Sequence, residues 1–198
     1  MKMRKIIYAL LLQVSILSLM AAAQSKDKLP PLPANATLAE SQEWIVKNLG
    51  KNFGYSTIDD TVKISDLKFD GCTLSYRVLQ RYTDQKAALG DRPALGVTGA
   101  TTAKDISYSV HEDVWVDLKK IDPAKIALGP MTTPKSMQII LLETLESKDT
   151  IKFDRQGTSV RYNTAGERNT TSFPVKESAG ESLAKGLQHT IGLCRAAN

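Results

Sequence analysis

Only two cysteines occur among the 198 residues, and each stands at a punctuated point of the chain. Cys72 follows Asp70-Gly71, the best hairpin signal present, because aspartate and glycine tolerate the positive backbone angles of a two-residue turn. Cys194 ends an amphipathic stretch over 178–194. There Leu183, Leu187, Thr190, Ile191 and Cys194 share one arc of a helix, while Lys185, Gln188 and Gly192 point away. Cys72 has the strand parity of Leu74, Tyr76 and Val78. Both cysteines therefore face inward, and a bond between them would fasten a closing helix to an early strand.

Whether that bond forms depends on the compartment. Lys2, Arg4 and Lys5 form a positive segment, an apolar run follows from Ile6 to Met20, and Ala21-Ala22-Ala23 supplies the small residues of a processing site. The pattern predicts export with cleavage before Gln24, to a periplasm or the extracellular space; the alternative is an uncleaved anchor, for which the run is short. In an oxidising compartment an even and very small cysteine count favours one structural disulfide over two buried thiols. Segment 1–23 contributes three of the five net positive charges and no acid, so the remaining 175 residues carry +2. They hold no dense Lys/Arg run, which argues against nucleic acid as a partner. No membrane span remains after cleavage.

Residues 24–36, with Pro30, Pro31 and Pro33, read as an extended lead-in. A single domain over 37–198 follows. Thr37 and Glu40 have capping-box spacing and open a helix carrying Leu38, Ile45, Val46 and Leu49 on one face, with Gly50 as its stop and Trp44 on its flank. Val62, Ile64, Leu67 and Phe69 then alternate, with an irregularity at Ser65-Asp66, and the hairpin turn leads into the Cys72 strand. Residues 84–104 have no such rhythm and read as a surface loop. Further strands are expected over 106–118 (one, or two with a bend), near Ile126 and Leu128, over 137–142, at Ile151 and Phe153, at Val160 and Tyr162, and over 171–175. A turn is expected at 163–166, and Pro174 implies an edge position for the last strand. Ser178 and Glu181 supply a second capping box for the closing helix. The fold class is α+β, mainly antiparallel β with seven or eight short strands, an N-terminal helix and a C-terminal capping helix.

The catalytic inventory is thin. The chain lacks a nucleophile elbow, a phosphate loop and a His-Glu-x-x-His helix, and two histidines cannot build an all-histidine zinc site. No catalytic residue, metal ligand or cofactor is assigned. His189 reads as a solvated flank residue. His111, with Asp113, Trp115 and Asp117 on its strand parity, could act as a general base only with a nucleophile that is not evident. Trp115 on an outward face calls for covering by a loop or the first helix, or for a binding patch. Arg77 and Arg81 share the outward face of the Cys72 strand. His111, Trp115, Arg77 and Arg81 thus form a candidate interaction surface. Asn35 and Asn169 head glycosylation sequons that matter only in a eukaryotic secretory host.

The order helix, strands, closing helix resembles the pleckstrin-homology-like superfold over about residues 61–194, which implies a strongly bent sheet or half-barrel capped by the last helix. Phe69-Asp70-Gly71-Cys72-Thr73-Leu74, with His189-Thr190-Ile191-Gly192-Leu193-Cys194 far downstream, is similar to a group of uncharacterised exported bacterial proteins. That similarity implies no activity. The basic loop with which some pleckstrin-homology domains bind phosphoinositides has no counterpart at Asp70-Gly71, so headgroup binding is not carried over. Three functions remain open: an exported non-enzymatic binding or interaction module for a protein or small-molecule partner, a small apolar-ligand carrier with its cavity under the closing helix, and a hydrolase using His111.

Overall fold

The computed structural model describes residues 28–57, 60–84, 106–158 and 163–197. The compact unit spans Pro31–Asn198, and of the unit before it only 28–30 are among the described residues. The fold is α+β. Helix α1 (Leu38–Asn52) is followed by strands β1 (Tyr55–Ser56), β2 (Asp60–Asp70), β3 (Thr73–Asp84), β4 (Ile106–Asp117), β5 (Ala127–Pro130), β6 (Met137–Glu143), β7 (Ile151–Gly157), β8 (Thr164–Arg168) and β9 (Thr170–Lys176). Helix α2 (Glu177–Ala196) closes the chain. All pairings are antiparallel and form two open sheets, one of order β1-β2-β3-β4-β7-β8 and one of order β5-β6-β9.

The Thr37 capping box forms as its spacing demands. The Glu40 backbone N–H donates to Thr37 Oγ1 at 3.3 Å, and the Thr37 N–H donates to Glu40 Oε2 at 2.8 Å. Ser41, Ile45 and Leu49 form the buried stripe of α1, with Trp44 half-buried at its flank. The helix passes Gly50 and stops two residues later, because the chain reverses at Gly54. Gly54 has φ +83°, its N–H donates to Pro174 O at 2.8 Å, and a Cβ there would lie 2.1 Å from Val62 O. In an extended strand one residue's N and C=O point to the same side. Since Pro174 O faces Gly54, its missing N–H also faces the sheet's outer edge, where the ladder needs no donor. The edge position read from Pro174 is borne out.

The β2–β3 hairpin carries the expected irregularity: its register shifts between Ser65 and Lys68, and Asp66 takes φ +53°. Its turn is displaced by one residue. Asp70 pairs with Thr73, so Gly71 and Cys72 occupy the turn, with Gly71 at φ +54°. Cys72 therefore sits at the hairpin tip, not within the strand, and three further contacts hold it there. Its carbonyl accepts from Leu118 N at 3.0 Å, Gly71 O accepts from Gln42 Nε2 at 2.6 Å, and Cys72 is disulfide-bonded to Cys194 with Cα atoms 5.7 Å apart.

The other departures from expectation have local causes. Strand β4 is continuous through His111-Glu112-Asp113, because both neighbours pair with it across that polar centre. The turn expected at 163–166 gives way to β8, residues 164–168, at the edge of the large sheet; four of its five residues are exposed, so the strand shows no apolar alternation. With β1 and β8 the strands number nine among the described residues. Helix α2 begins at Glu177, directly after β9, with no side-chain cap. The Glu177 N–H donates to Ser136 O at 3.0 Å, and because the helix starts upstream of Ser178 that residue lies inside it and not at its N-cap. The strand expected at Val160 and Tyr162, segment 1–23 and all of the 84–104 loop but Asp84 lie outside the described residues.

The core lies where both helices meet the sheets. Leu183, Leu187 and Ile191 of α2 are fully buried with Ile45 and Leu49 of α1 and Ile140, Leu142, Phe173 and Val175 of the small sheet. Each such side chain contributes about 1.5–3 kcal/mol. The helices approach closely at Gly186, where a Cβ would lie 2.6 Å from the Trp44 ring. His189 is half-buried rather than solvated: its Nε2 lies 3.1 Å from Ala36 O, and Ala36 is itself buried, so the end of the lead-in is tied to α2.

The disulfide spans 122 residues, a loop for which chain-entropy models give about 5 kcal/mol. Replacing both cysteines by alanine is expected to lower stability by about 2–5 kcal/mol, read from the urea midpoint; an unchanged midpoint would deny the bond a structural role. Gly54→Ala is expected to cost more than about 2 kcal/mol, since it combines strain at positive φ with a collision against Val62 O. A loss within a few tenths would contradict that.

Candidate functional site

Two surfaces concentrate polar side chains, one on each face of the large sheet. The outward face carries the four residues of the candidate interaction surface, His111, Trp115, Arg77 and Arg81. Cross-strand register sets Trp115 beside Ser75, Asp113 beside Arg77, His111 beside Leu79 and Ser109 beside Arg81. His111 and Arg81 are exposed. Trp115 is 41% exposed, so the covering expected for it is not found among the described residues. Arg77 Nε and Nη2 donate to Asp113 Oδ1 and Oδ2 at 2.7 and 2.9 Å, and Asp66 lies 3.9 Å from Nη1. The bidentate hydrogen bond from Arg77, more than its charge, holds the Asp113 carboxyl below the usual carboxylate range. Arg77 is thus satisfied within its own sheet, in a depression lined mainly by Asp66, Lys68, Ser75, Arg77, Asp113 and Trp115.

The inward face holds what residue-type reasoning overlooked. Glu112 has the parity of the buried residues Val110, Val114 and Val116, and its side chain is 12% exposed. A carboxylate in such a position requires compensation. Two strands supply it. Arg155, its cross-strand partner on β7, donates to Glu112 Oε2 from Nε at 2.7 Å and also through Nη2. Arg168, on β8, places Nη2 at 2.8 Å from Glu112 Oε1 and lies over the Phe153 ring, with Cζ 5.1 Å from its centroid. Its Nε is buried and has no hydrogen-bond partner among the described residues. Parity was the available signal: Glu112 interrupts an apolar face, and Arg155 follows Ile151 and Phe153 at spacing two.

This cluster forms one end of a cleft of about 410 Å³ between the two sheets. Val62, Tyr76, Val78 and Gln80 belong to the large-sheet side. Ile139, Leu141, Ser172 and Pro174 come from the small-sheet face opposite Ile140 and Phe173, and Phe53 and Tyr55 complete the lining from the segment after α1. Among the described residues Glu112, Arg155 and Arg168 are the only charged ones in the lining, and α2 contributes none of it. The cleft therefore differs in place from a cavity beneath the closing helix. Among the described residues no cluster of three or more metal-capable side chains occurs.

At its depth the cleft is closed by a buried contact. Tyr76 OH and Thr171 Oγ1 lie 2.6 Å apart, and the Tyr76 ring packs on Phe173 at 5.2 Å. Burial pushes the Tyr76 phenol up to about 12, against the opposing effect of its bond to Thr171. Tyr55 is likewise raised to about 12, by burial first and then by donating to Asp60 Oδ2 at 2.7 Å.

Both phenols have native pKa values above the unfolded value of about 10. Their contribution is complete below about pH 10 and is lost as pH rises toward about 12, because the unfolded chain releases protons that the native chain keeps. Tyr76→Phe is expected to make that alkaline fall shallower. At pH 7 it should cost about 1–2 kcal/mol, since Thr171 loses the shorter of its two hydrogen bonds and keeps only that from Arg168 Nη2 at 3.4 Å. Urea titrations between pH 7 and 11.5 read both effects, and parallel profiles for variant and parent would contradict the titration.

No protein-family model matches the chain, and no curated protein and no solved structure is significantly similar to it. A function has to be read from the cleft itself.

Proposed function

We propose that the protein is an exported, non-enzymatic binding module that carries a small amphipathic molecule in the cleft between its sheets. The observation that carries this reading is the cleft's composition. Val78, Met131, Ile139 and Leu141 line it half-buried, whereas the core beside it is sealed. A ligand would remove that remaining apolar surface from water at about 25 cal/mol per Å². The volume of about 410 Å³ falls in the range of about 300–1,000 Å³ typical of ligand pockets.

Binding is favoured over hydrolysis by how the polar groups are engaged. Thr171 is held by Tyr76 and approached by Arg168 Nη2 at 3.4 Å, and His111 lies on the opposite sheet face from the cleft. Export is supported by the charged, apolar and small-residue sequence of segment 1–23 and by the Cys72–Cys194 bond. No helix among the described residues is long and apolar enough to cross a membrane. The outward Trp115 face fits a small molecule less well, because its depression is mostly polar and Arg77 is already paired.

N-phenyl-1-naphthylamine, an uncharged dye that brightens in apolar surroundings, tests the cleft directly. It is expected to brighten with the parent protein. With Ser172→Trp, whose new ring would occupy the cleft from an exposed position, binding is expected to weaken by about tenfold or more without a drop in the thermal midpoint. No brightening with the parent, or equal brightening with Ser172→Trp, would sink the reading.

A further inference from the structure

We infer that the ligand of the cleft is an amphipathic carboxylate whose single negative charge is held by Arg155 and Arg168; this rests on the binding reading above and adds the ligand's chemical class. Two guanidinium groups share one carboxylate, Glu112, and among the described residues no other charged side chain lines the cleft. The lining therefore carries an excess of one positive charge.

Glu112 orients both arginines without exhausting them. It engages Arg155 through Nε and Nη2 and Arg168 through Nη2, while a guanidinium has five N–H donors in a planar fork. The Arg155 side chain is 42% exposed and that of Arg168 is 28% exposed, so both can be approached from the cleft's open side. The fork matches a carboxylate in two-point contact, and charge-assisted bonds of this kind are roughly twice as strong as neutral ones. Glu112 holds the forks in place before the ligand arrives, which reduces the ordering cost of binding.

The rest of the lining sets the ligand's other end. The guanidinium groups come from β7 and β8 of the large sheet, and Ile139 and Leu141 from β6 of the small sheet. A molecule spanning both needs an acidic head and an apolar body. The cleft of about 410 Å³ limits the ligand to a small molecule. Decanoate, with ten carbons and two oxygens, is such a molecule.

Displacement of bound N-phenyl-1-naphthylamine by decanoate and by decan-1-ol separates the charge from the apolar body. With the parent protein at pH 7, decanoate is expected to displace the dye at a concentration about tenfold or more below that of decanol. Arg155→Met removes the excess charge and is expected to bring the ratio of the two displacing concentrations toward one. Equal displacement by both compounds in the parent overturns the carboxylate assignment and leaves the binding reading standing. A preference that survives intact in Arg155→Met also overturns it. Dye that does not bind the parent protein at all defeats both readings together. If Arg155→Met does not fold, judged by circular dichroism, the ratio in the parent protein decides alone.

Discussion

The two sheets are held in register with one another by a buried hydrogen bond, Tyr76 OH to Thr171 Oγ1, set against the ring of Phe173. Tyr76 belongs to the centre of the large sheet and Thr171 to the edge strand of the small one. Both side chains are buried, Arg168 Nη2 approaches Thr171 Oγ1 at 3.4 Å as a second donor, and a slip of either strand by one residue would separate the two hydroxyls. Because β9 is pinned there, the chain after α1 can bridge to it, through Phe53 opposite Val175 and Gly54 N to Pro174 O. On one side of this contact the core closes around both helices. On the other side the sheets leave the cleft.

The disulfide acts on the same architecture from its far end. Cys72 stands at the tip of the hairpin that begins β3, and Cys194 lies on the last turn of the helix packed against the small sheet. The bond joins the large sheet's hairpin to the helix that covers the small sheet. Without it, the helix would be held by its buried arc and by the His189–Ala36 contact. With it, the unfolded chain loses freedom over a very long loop. Cleft and cross-link thus sit in separate regions of the fold.

Much of the fold was legible because it is written in periodicity. The helix opened by Thr37, the alternation of β2 and β3, the bulge near Ser65 and the inward arc ending at Cys194 are local patterns that burial reproduced. The hairpin turn slipped by one residue because Gly71 can serve a turn in either of two registers, and strand pairing decides between them. Strand β8 was missed because an edge strand with almost no buried side chain has no alternation to read. The site was overlooked for a different reason. By residue type His111 stands out for its chemistry, whereas the adjacent Glu112 is the residue at an inward position.

The sequence by itself determined the α+β class, the antiparallel strands and the inward facing of Cys194, since these follow from side-chain spacing along short stretches. Tertiary structure alone decided that Glu112, Arg155 and Arg168 meet. They stand on three strands, and β7 joins β4 in the large sheet only after the chain has built β5 and β6 of the other sheet. No local pattern encodes that return. It also decided that the two sheets part beyond the Tyr76–Thr171 contact, because the width of a cleft depends on how two surfaces pack and not on either surface alone.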